Sequence, residues 1–424
     1  MRLSPPSDDL AARLAARLDA RLRTDPAAPP LAVGFSGGGD SLALLLVADA
    51  WARAWGRALH VFTVDHGLQA QSRDWTAACA RTAAALGRPF TALSWTGTKP
   101  ARGLPAAARA ARHRLLADAA RTVGAQVVLL GHTADDLSEA ESMRAAGSTT
   151  PSPREWGPSP AWPEGRGIFL CRPMLALGRA EIRKWLVAQG RNWIDDPANE
   201  DFAYARARAR AAPVDRSRPA APQEPPPGLA DFAACFAAEP WGGLRLDRGA
   251  ARAVGPATLK TALGAACLSV SGGVRPPRGD RVERLGAALA GAAPVVQTLA
   301  GARIVAKSAS VLVLREPGEI VRQGGGVCAL PPGAPMVWDG RYELTAPLAG
   351  LAVRRLAGLA QRLSAIERRA LARLPAAARG ALPAVIDPDG AVSCPLLSKD
   401  AGVVCRPLAS ARFAAACGQV PREP

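Results

Sequence analysis

The sequence predicts an α/β fold whose first half is a doubly wound parallel sheet, followed by a mainly helical middle domain and a small α+β C-terminal domain. Three observations carry this. Short apolar runs alternate with alanine-rich segments at helical period through residues 31–130, the pattern of strands joined by crossover helices. The polar clusters Ser36–Ser41, Asp65–Gly67 and His132–Asp136 each stand at the end of such a run. A proline-dense stretch then interrupts the pattern, with Pro213, Pro219, Pro222, Pro225, Pro226 and Pro227 in quick succession.

Taken in order, leucines at helical spacing between charges predict an amphipathic lead-in helix over residues 8–23. Leu31–Phe35 is the first strand; it ends at a Ser-Gly-Gly-Gly turn, and a leucine-rich helix follows. Leu59–Val64, Pro89–Trp95 and Gln126–Leu130 give three more strands, with helices near 72–86 and 103–122 between them. Residues 147–167, rich in Gly, Pro, Ser and Trp, read as a long surface loop. Ile168–Leu170, a helix from about 179 to 189 and an Asp195-Asp196-Pro197 turn come next. Beyond the prolines, residues 229 to about 320 read as helical and then β-like at Val295–Leu314. Residues 325–424 mix short strands with an alanine-rich helix near 361–380. The expected boundaries are a domain at 1–212, a linker at 213–228, and domains at 229–322 and 323–424.

A chain of 424 residues exceeds one ordinary domain, and at 49% hydrophobic it has ample material for buried cores. The formal net charge of +17 favours a polyanionic partner through counterion release, although arginine enrichment in a GC-rich genome would give the same charge. Eight cysteines are scattered without a CxxC pair, which points away from a zinc ribbon or iron–sulfur centre and towards reduced thiols. The N-terminus lacks the apolar core of a signal peptide. The longest apolar stretch, Leu42 to Trp55, is broken by Asp49 and Arg53, so no membrane partner is expected and the location is cytoplasmic.

The sharpest local signal is Ser36-Gly37-Gly38-Gly39-Asp40-Ser41 between a strand and a helix. Glycines let the backbone approach a ligand closely, and successive amides at a helix N-terminus cradle phosphate. Asp40 would repel a bare anion, and it makes sense there if it holds Mg²⁺ bridging a triphosphate. The plain alternative is a glycine-rich turn. Neither a GxxxxGK[ST] loop nor a dinucleotide fingerprint is present.

SGGxDS after the first strand resembles the PP-loop of the N-type ATP pyrophosphatases, which split ATP into AMP and pyrophosphate. Within that superfamily the chain resembles the lysidine synthases. Val64-Asp65-His66-Gly67-Leu68 is similar to their VDHGLR segment, with Gln69 in place of arginine. Ala108-Arg109-Ala110-Ala111-Arg112-His113 is similar to ARxxRY, with His113 for tyrosine. Gly131-His132-Thr133-Ala134-Asp135-Asp136 matches GHTADD, and Glu139 and Arg144 continue it. Arg172-Pro173-Met174-Leu175 resembles RPLL, and Trp193 to Asn199 with Tyr204, Arg206 and Arg210 resembles the stretch that follows. Leu137, Ala140, Ala198 and Ala207 depart from the pattern beside the matching acids and arginines. Past residue 211 the resemblance fades to fragments such as Trp338-Asp339-Gly340-Arg341.

The resemblance implies that ATP adenylates the C2 oxygen of the wobble cytidine in the CAU anticodon of tRNA(Ile), and that free L-lysine then displaces AMP. ATP and Mg²⁺ are the implied cofactors, with a homodimer as a possible assembly. Carried over residue by residue, Ser36, Gly37, Gly38, Gly39, Asp40, Ser41, Asp65 and His66 would bind ATP. Asp40, Asp135, Asp136 and His132 would be catalytic, with Mg²⁺ on Asp40 and Asp135. Arg109, Arg112, Glu139, Arg144, Arg206 and Arg210 would meet lysine or tRNA. Each has a plainer role as well. Paired acids at a strand end cap a helix as readily as they hold a hard cation, a histidine there is often structural, and arginines three apart share a solvated helix face. The alternatives are a PP-loop tRNA thiolase, whose iron–sulfur forms need clustered cysteines, a metabolite ligase resembling NAD synthetase, and a non-catalytic tRNA-binding protein. Intact Asp40, Ser41, Asp135 and Asp136 speak against the last.

Overall fold

Leu10, Leu14, Leu18 and Leu22 recur every fourth residue, which stacks them along one helix face. All four are buried, the first three on the first helix, α1 (Pro6–Arg21), and Leu22 just past its end. This holds in a computed structural model that describes residues 6–69, 71–147, 152–195, 224–322, 324, 326–398 and 402–424. The chain forms two units, Met1–Glu224 with Val420–Pro424, and Pro225–Gln419.

The first unit is built on a six-stranded sheet. Its strands are β1 (Leu31–Gly34), β2 (Leu59–Asp65), β3 (Phe90–Ser94), β4 (Val127–Leu130), β5 (Trp156–Pro158) and β6 (Phe169–Cys171), in the spatial order β3-β2-β1-β4-β6-β5. The first five in that order run parallel; β5 pairs antiparallel with β6 at the edge. In register, Leu31 lies between Leu59 and Val127. Alternate side chains then serve opposite faces. Leu31, Val33, Val127 and Leu129 join the core beneath α1, α2 (Gly39–Ala54) and α6 (Arg179–Ala188). Ala32, Val128 and Leu130 pack on the other face with Leu116, Ala117 and Ala120 of α4 (Leu104–Thr122). Burial on both faces explains why β1 and β4 read as continuous apolar runs. Two further helices, α3 (Ser72–Ala85) and α5 (Ala134–Ala145), belong to this unit among the described residues.

The expected loop at 147–167 departs from the reading, because it contains β5. Trp156 stacks on Phe169 of β6 with ring centroids 5.1 Å apart, so the aromatic content that suggested a loop belongs to an edge strand. The Asp196-Pro197 half of the expected turn lies outside the described residues.

Val420–Pro424 is held to the first unit by polar contacts that no local pattern announces. Arg57 and Glu423 form an ion pair at 2.8 Å, and both side chains are fully buried. Arg57 also donates to the carbonyls of Arg23 and Pro29, while Glu423 accepts from the Arg23 amide at 2.8 Å. The Trp156 indole donates to Val420 O, and Arg422 donates to the carbonyls of Asp19 and Leu22.

The second unit contains helices and three antiparallel sheets. The five-stranded sheet runs β7 (Phe236–Ala238), β8 (Leu244–Asp247), β11 (Ser310–Arg315), β10 (Ala302–Ala306) and β9 (Val295–Leu299) in space. Only β9 to β11 stood out in the sequence; β7 and β8 are three and four residues long and too brief to show a period. Smaller sheets of four and three strands follow within 328–407. The helix expected near 361–380 is broken into Ala360–Arg362, Ala365–Ala372 and Ala376–Arg379, with Ser364 starting the second piece through a capping box with Glu367 and Pro375 preceding the third.

Removing one partner of a buried ion pair strands the other charge in a dry site, at a cost of about 3–5 kcal/mol. Glu423→Gln is therefore expected to lower the unfolding free energy of the full chain by about that amount in urea titrations. Arg17→Ala, which breaks an exposed contact with Glu155, should cost under about 1 kcal/mol. Equal effects would show that Glu423 does not anchor the tail.

Candidate active site

β1 and β4 are neighbours whose connecting helices leave in opposite directions, and in open α/β sheets such a reversal opens a crevice at the strands' carboxyl ends. A cleft of ≈ 600 Å³ lies there, lined by residues 34–36, 38–41, 62–69, 130–132, Arg112, Asp136, Arg179, Arg183, Ile194 and Asp195 among others. The two strand ends approach tightly: a Cβ on Gly131 would meet the Ser41 backbone at 3.0 Å.

The glycine loop enters this cleft at the start of α2. Gly37 has φ +84°, and a Cβ there would come within 2.5 Å of Ile194 Cδ1. Gly37 O accepts from Ile194 N at 3.0 Å, and a Cβ on Gly39 would touch the Trp193 ring at 3.4 Å, so Trp193 and Ile194 fold over the loop. The hydroxyls knit the loop to itself. Ser41 Oγ donates to Gly38 O at 2.9 Å, accepts from Ser36 N at 3.2 Å and lies 3.1 Å from Ser36 Oγ. Both hydroxyls therefore serve loop shape.

Asp65 also shapes its own turn, its Oδ1 accepting from Gly67 N at 2.7 Å. His66 packs edge-on against Trp95, and burial, reinforced by Arg112, holds its pKa below the ordinary histidine value.

The two acids after β4 are both helix caps. Asp136 Oδ2 accepts from Thr133 N at 2.7 Å and Thr133 Oγ1 at 3.2 Å, closing a capping box on α5. Asp135 Oδ2 accepts from Arg179 N at 2.7 Å, capping α6. Neither use consumes the whole carboxylate. Asp136 Oδ1 faces Arg179 Nη2 at 3.6 Å.

Arg179, which the sequence reading passed over, touches each of these acids. Its Nε donates to Asp40 Oδ2 at 3.1 Å and its Nη1 to Glu139 Oε1 at 3.2 Å. Burial works against its charge, but Glu139, Asp136 and Asp40 outweigh it and raise its pKa. Asp40 shifts upwards too, because it loses more solvation on burial than Arg179 returns. The clue available in the sequence was an arginine at the first turn of the helix after Arg172-Pro173-Met174-Leu175.

Basic groups gather around Arg172, with Asp136 near them. Arg172 Nε donates to His132 Nδ1 at 3.2 Å, which places the proton of a neutral His132 on Nε2. Burial, with Arg109 and Arg112 nearby, lowers Arg172 to about 9, and the same causes take His113 down to about 2. Arg112 lines the cleft, whereas Arg109 is not among its lining residues. Arg144 turns back to Ala140 O at 3.3 Å at the end of α5 and does not join the cleft lining. Arg206 and Arg210 lie outside the described residues.

The donor set suits a metal nucleotide. Among the described residues no three His, Cys, Asp or Glu side chains form a stand-alone metal site. Magnesium needs only one or two carboxylates when phosphates and water supply the rest, and Asp40 at the glycine loop fits that requirement. A second groove, between α1, α2 and α6, is lined mainly by alanine and tryptophan and lacks such a constellation. Among the described residues no helix is long and apolar enough to cross a membrane.

Residues 10–216 match the family described as the PP-loop domain. The chain is 48% identical over 408 residues to a tRNA(Ile)-lysidine synthase of Caulobacter vibrioides, covering 95% of this chain and 96% of that one. It is 34% identical to the protein of the same name from Mesorhizobium japonicum over 76% of each chain. The enzyme of Hyphomonas neptunium is 40% identical over 43% of this chain and 50% of its own.

Forcing an L-residue into the left-handed region costs about 1–2 kcal/mol, and at Gly37 the new Cβ must also displace Ile194. Gly37→Ala is expected to lose about that much stability in chemical denaturation, along with most nucleotide binding by calorimetry. Gly39→Ala, at an ordinary helical φ, should be nearly silent in both.

Proposed function

The chain belongs to the tRNA(Ile)-lysidine synthase family of PP-loop enzymes, and on that premise we propose that it joins free L-lysine to C2 of the wobble cytidine in tRNA(Ile) bearing a CAU anticodon. The observation that carries the reading is the meeting of the glycine loop, Asp40 and Asp136 at one crevice, with Asp135 held on the Arg179 amide rather than in the cleft lining.

The reaction has two displacements. The C2 oxygen of cytidine attacks the α-phosphorus of ATP; the O–P bond forms, the bond to the β-phosphate oxygen breaks, and pyrophosphate leaves. The lysine Nζ then attacks C2, the C2–O bond breaks, and AMP departs with that oxygen. Bound Mg²⁺ would neutralise phosphate charge, held through Asp40, with Asp135 nearby as a cap of α6. The protein otherwise works by positioning and fixed charge. The amides of Gly37, Gly38 and Gly39 would cradle the phosphates, and Arg112, Arg179 and Arg183 would face them across the cleft. The lysine ammonium must lose a proton before attack, and Asp135 or Asp136 would orient it, Asp136 being the one that lines the cleft. His132, fixed by Arg172, would offer its Nε2 proton to a phosphate oxygen or to the substrate.

A single-stranded anticodon loop allows the target base to be splayed out and read. The chain's basic charge suits tRNA, and we assign recognition beyond the target base to residues 229–424, with the cytoplasm as the site of action.

The test is transfer of labelled lysine to a tRNA(Ile) transcript with ATP and Mg²⁺, following AMP in parallel. Asp40→Ala is expected to reduce both products at least ~100-fold, the usual scale for losing a positioned electrostatic group. AMP without lysine transfer would redirect the reading to another PP-loop tRNA modification. With neither product from folded, tRNA-binding protein, the enzymatic reading falls.

A further inference from the structure

The site acids share one cation supplied by the chain itself. Asp40 stands on the first turn of α2, Asp136 and Glu139 on α5, and Arg179 opens α6. Three carboxylates from two helices meet the guanidinium of a third, which is only 14% exposed.

That guanidinium is not what gives the acids their places. Asp136 is fixed by Thr133 through both the amide and the hydroxyl. Asp135 is fixed by the main-chain amide of Arg179, which any residue at the position would supply. Asp40 is placed by the helix that carries it. What the Arg179 side chain adds is charge, delivered by Nε at 3.1 Å to an oxygen of Asp40. A cation so close to Asp40 repels any second cation approaching the same carboxylate, strongly so where water is partly excluded.

Arg179 and Arg183 lie one helical turn apart, and both line the cleft that holds the glycine loop. A guanidinium fork matches phosphate oxygens as well as it matches a carboxylate. A triphosphate seated on the loop therefore offers Arg179 a replacement partner, and no stand-alone metal set competes with it among the described residues. We infer that Arg179 is a resident counter-ion, a positioning residue that occupies Asp40 until nucleotide arrives and then transfers to the phosphates, so that divalent cation binding at Asp40 is contingent on nucleotide. This rests on the reading of the cleft as an ATP site.

The consequence is a thermodynamic coupling between nucleotide and cation. It is measured on the full chain with Mn²⁺ as the probe, by electron paramagnetic resonance titration with and without the non-hydrolysable α,β-methylene analogue of ATP. In the unaltered protein the analogue is expected to tighten Mn²⁺ binding. Arg179→Gln should bind Mn²⁺ about tenfold more tightly than the unaltered protein when nucleotide is absent, with the coupling correspondingly reduced. Arg179→Lys, which keeps the charge, should stay near the unaltered protein. A merely structural arginine would weaken Mn²⁺ binding when lost, the opposite sign. Equal or weaker nucleotide-free binding in Arg179→Gln overturns the inference and leaves the ATP reading standing. If that variant does not fold, the unaltered protein decides, since Mn²⁺ binding equally tight with and without the analogue overturns it as well. Failure of the analogue to bind at all would remove the ATP reading and this inference with it.

Discussion

Everything at the cleft depends on where the sheet reverses its order. β1 sits between β2 and β4, and the crossovers diverge on either side of it, so the ends of β1 and β4 open together. The parallel register that sets Leu31 level with both Leu59 and Val127 also brings the residues after each strand to one level. The glycine loop, Asp65 and the His132–Asp136 segment thus meet although about a hundred residues of chain separate the first from the last. Gly131 marks how little room is left, because its missing Cβ is what lets the backbone at Ser41 come so near.

Within that crevice, structural and chemical duties are carried by the same groups. A carboxylate has two oxygens and several lone pairs, and this site divides them. Asp136 gives one oxygen to Thr133 and turns the other to Arg179; Asp135 caps α6 through one of its oxygens. Capping fixes the acids before any ligand arrives, which is the preorganisation that electrostatic catalysis requires. The serines do the same for the loop. Arg112, Arg179 and Arg183 line the same cleft as Asp40 and Asp136, so charges of both signs meet in it.

Much of this was legible in the chain because it is local. A glycine run between a strand and a helix, Thr133 three residues before Asp136, and leucines every fourth residue in α1 each express their physics within one turn. The double use of the acids was present as two separate readings, cation site and helix cap, and the geometry shows the caps directly. Arg179 was missed because its partners lie 40 and 139 residues away, and its place at a helix start after Leu175 was the single local clue. Arg109 and Arg112, by contrast, were paired by spacing, yet only Arg112 lines the cleft. β5 was hidden by the glycines and prolines around it. The brief strands β7 and β8 gave no periodicity to read.

The tail Val420–Pro424 gives the chain an unusual order of assembly. Arg57 lies in the first stretch to leave the ribosome, and its buried partner Glu423 is made only after the whole of Pro225–Gln419. Until that point in synthesis Arg57 has its carbonyl partners at Arg23 and Pro29 but not its carboxylate. A nascent chain stalled before residue 420 therefore carries a first unit that lacks this buried ion pair.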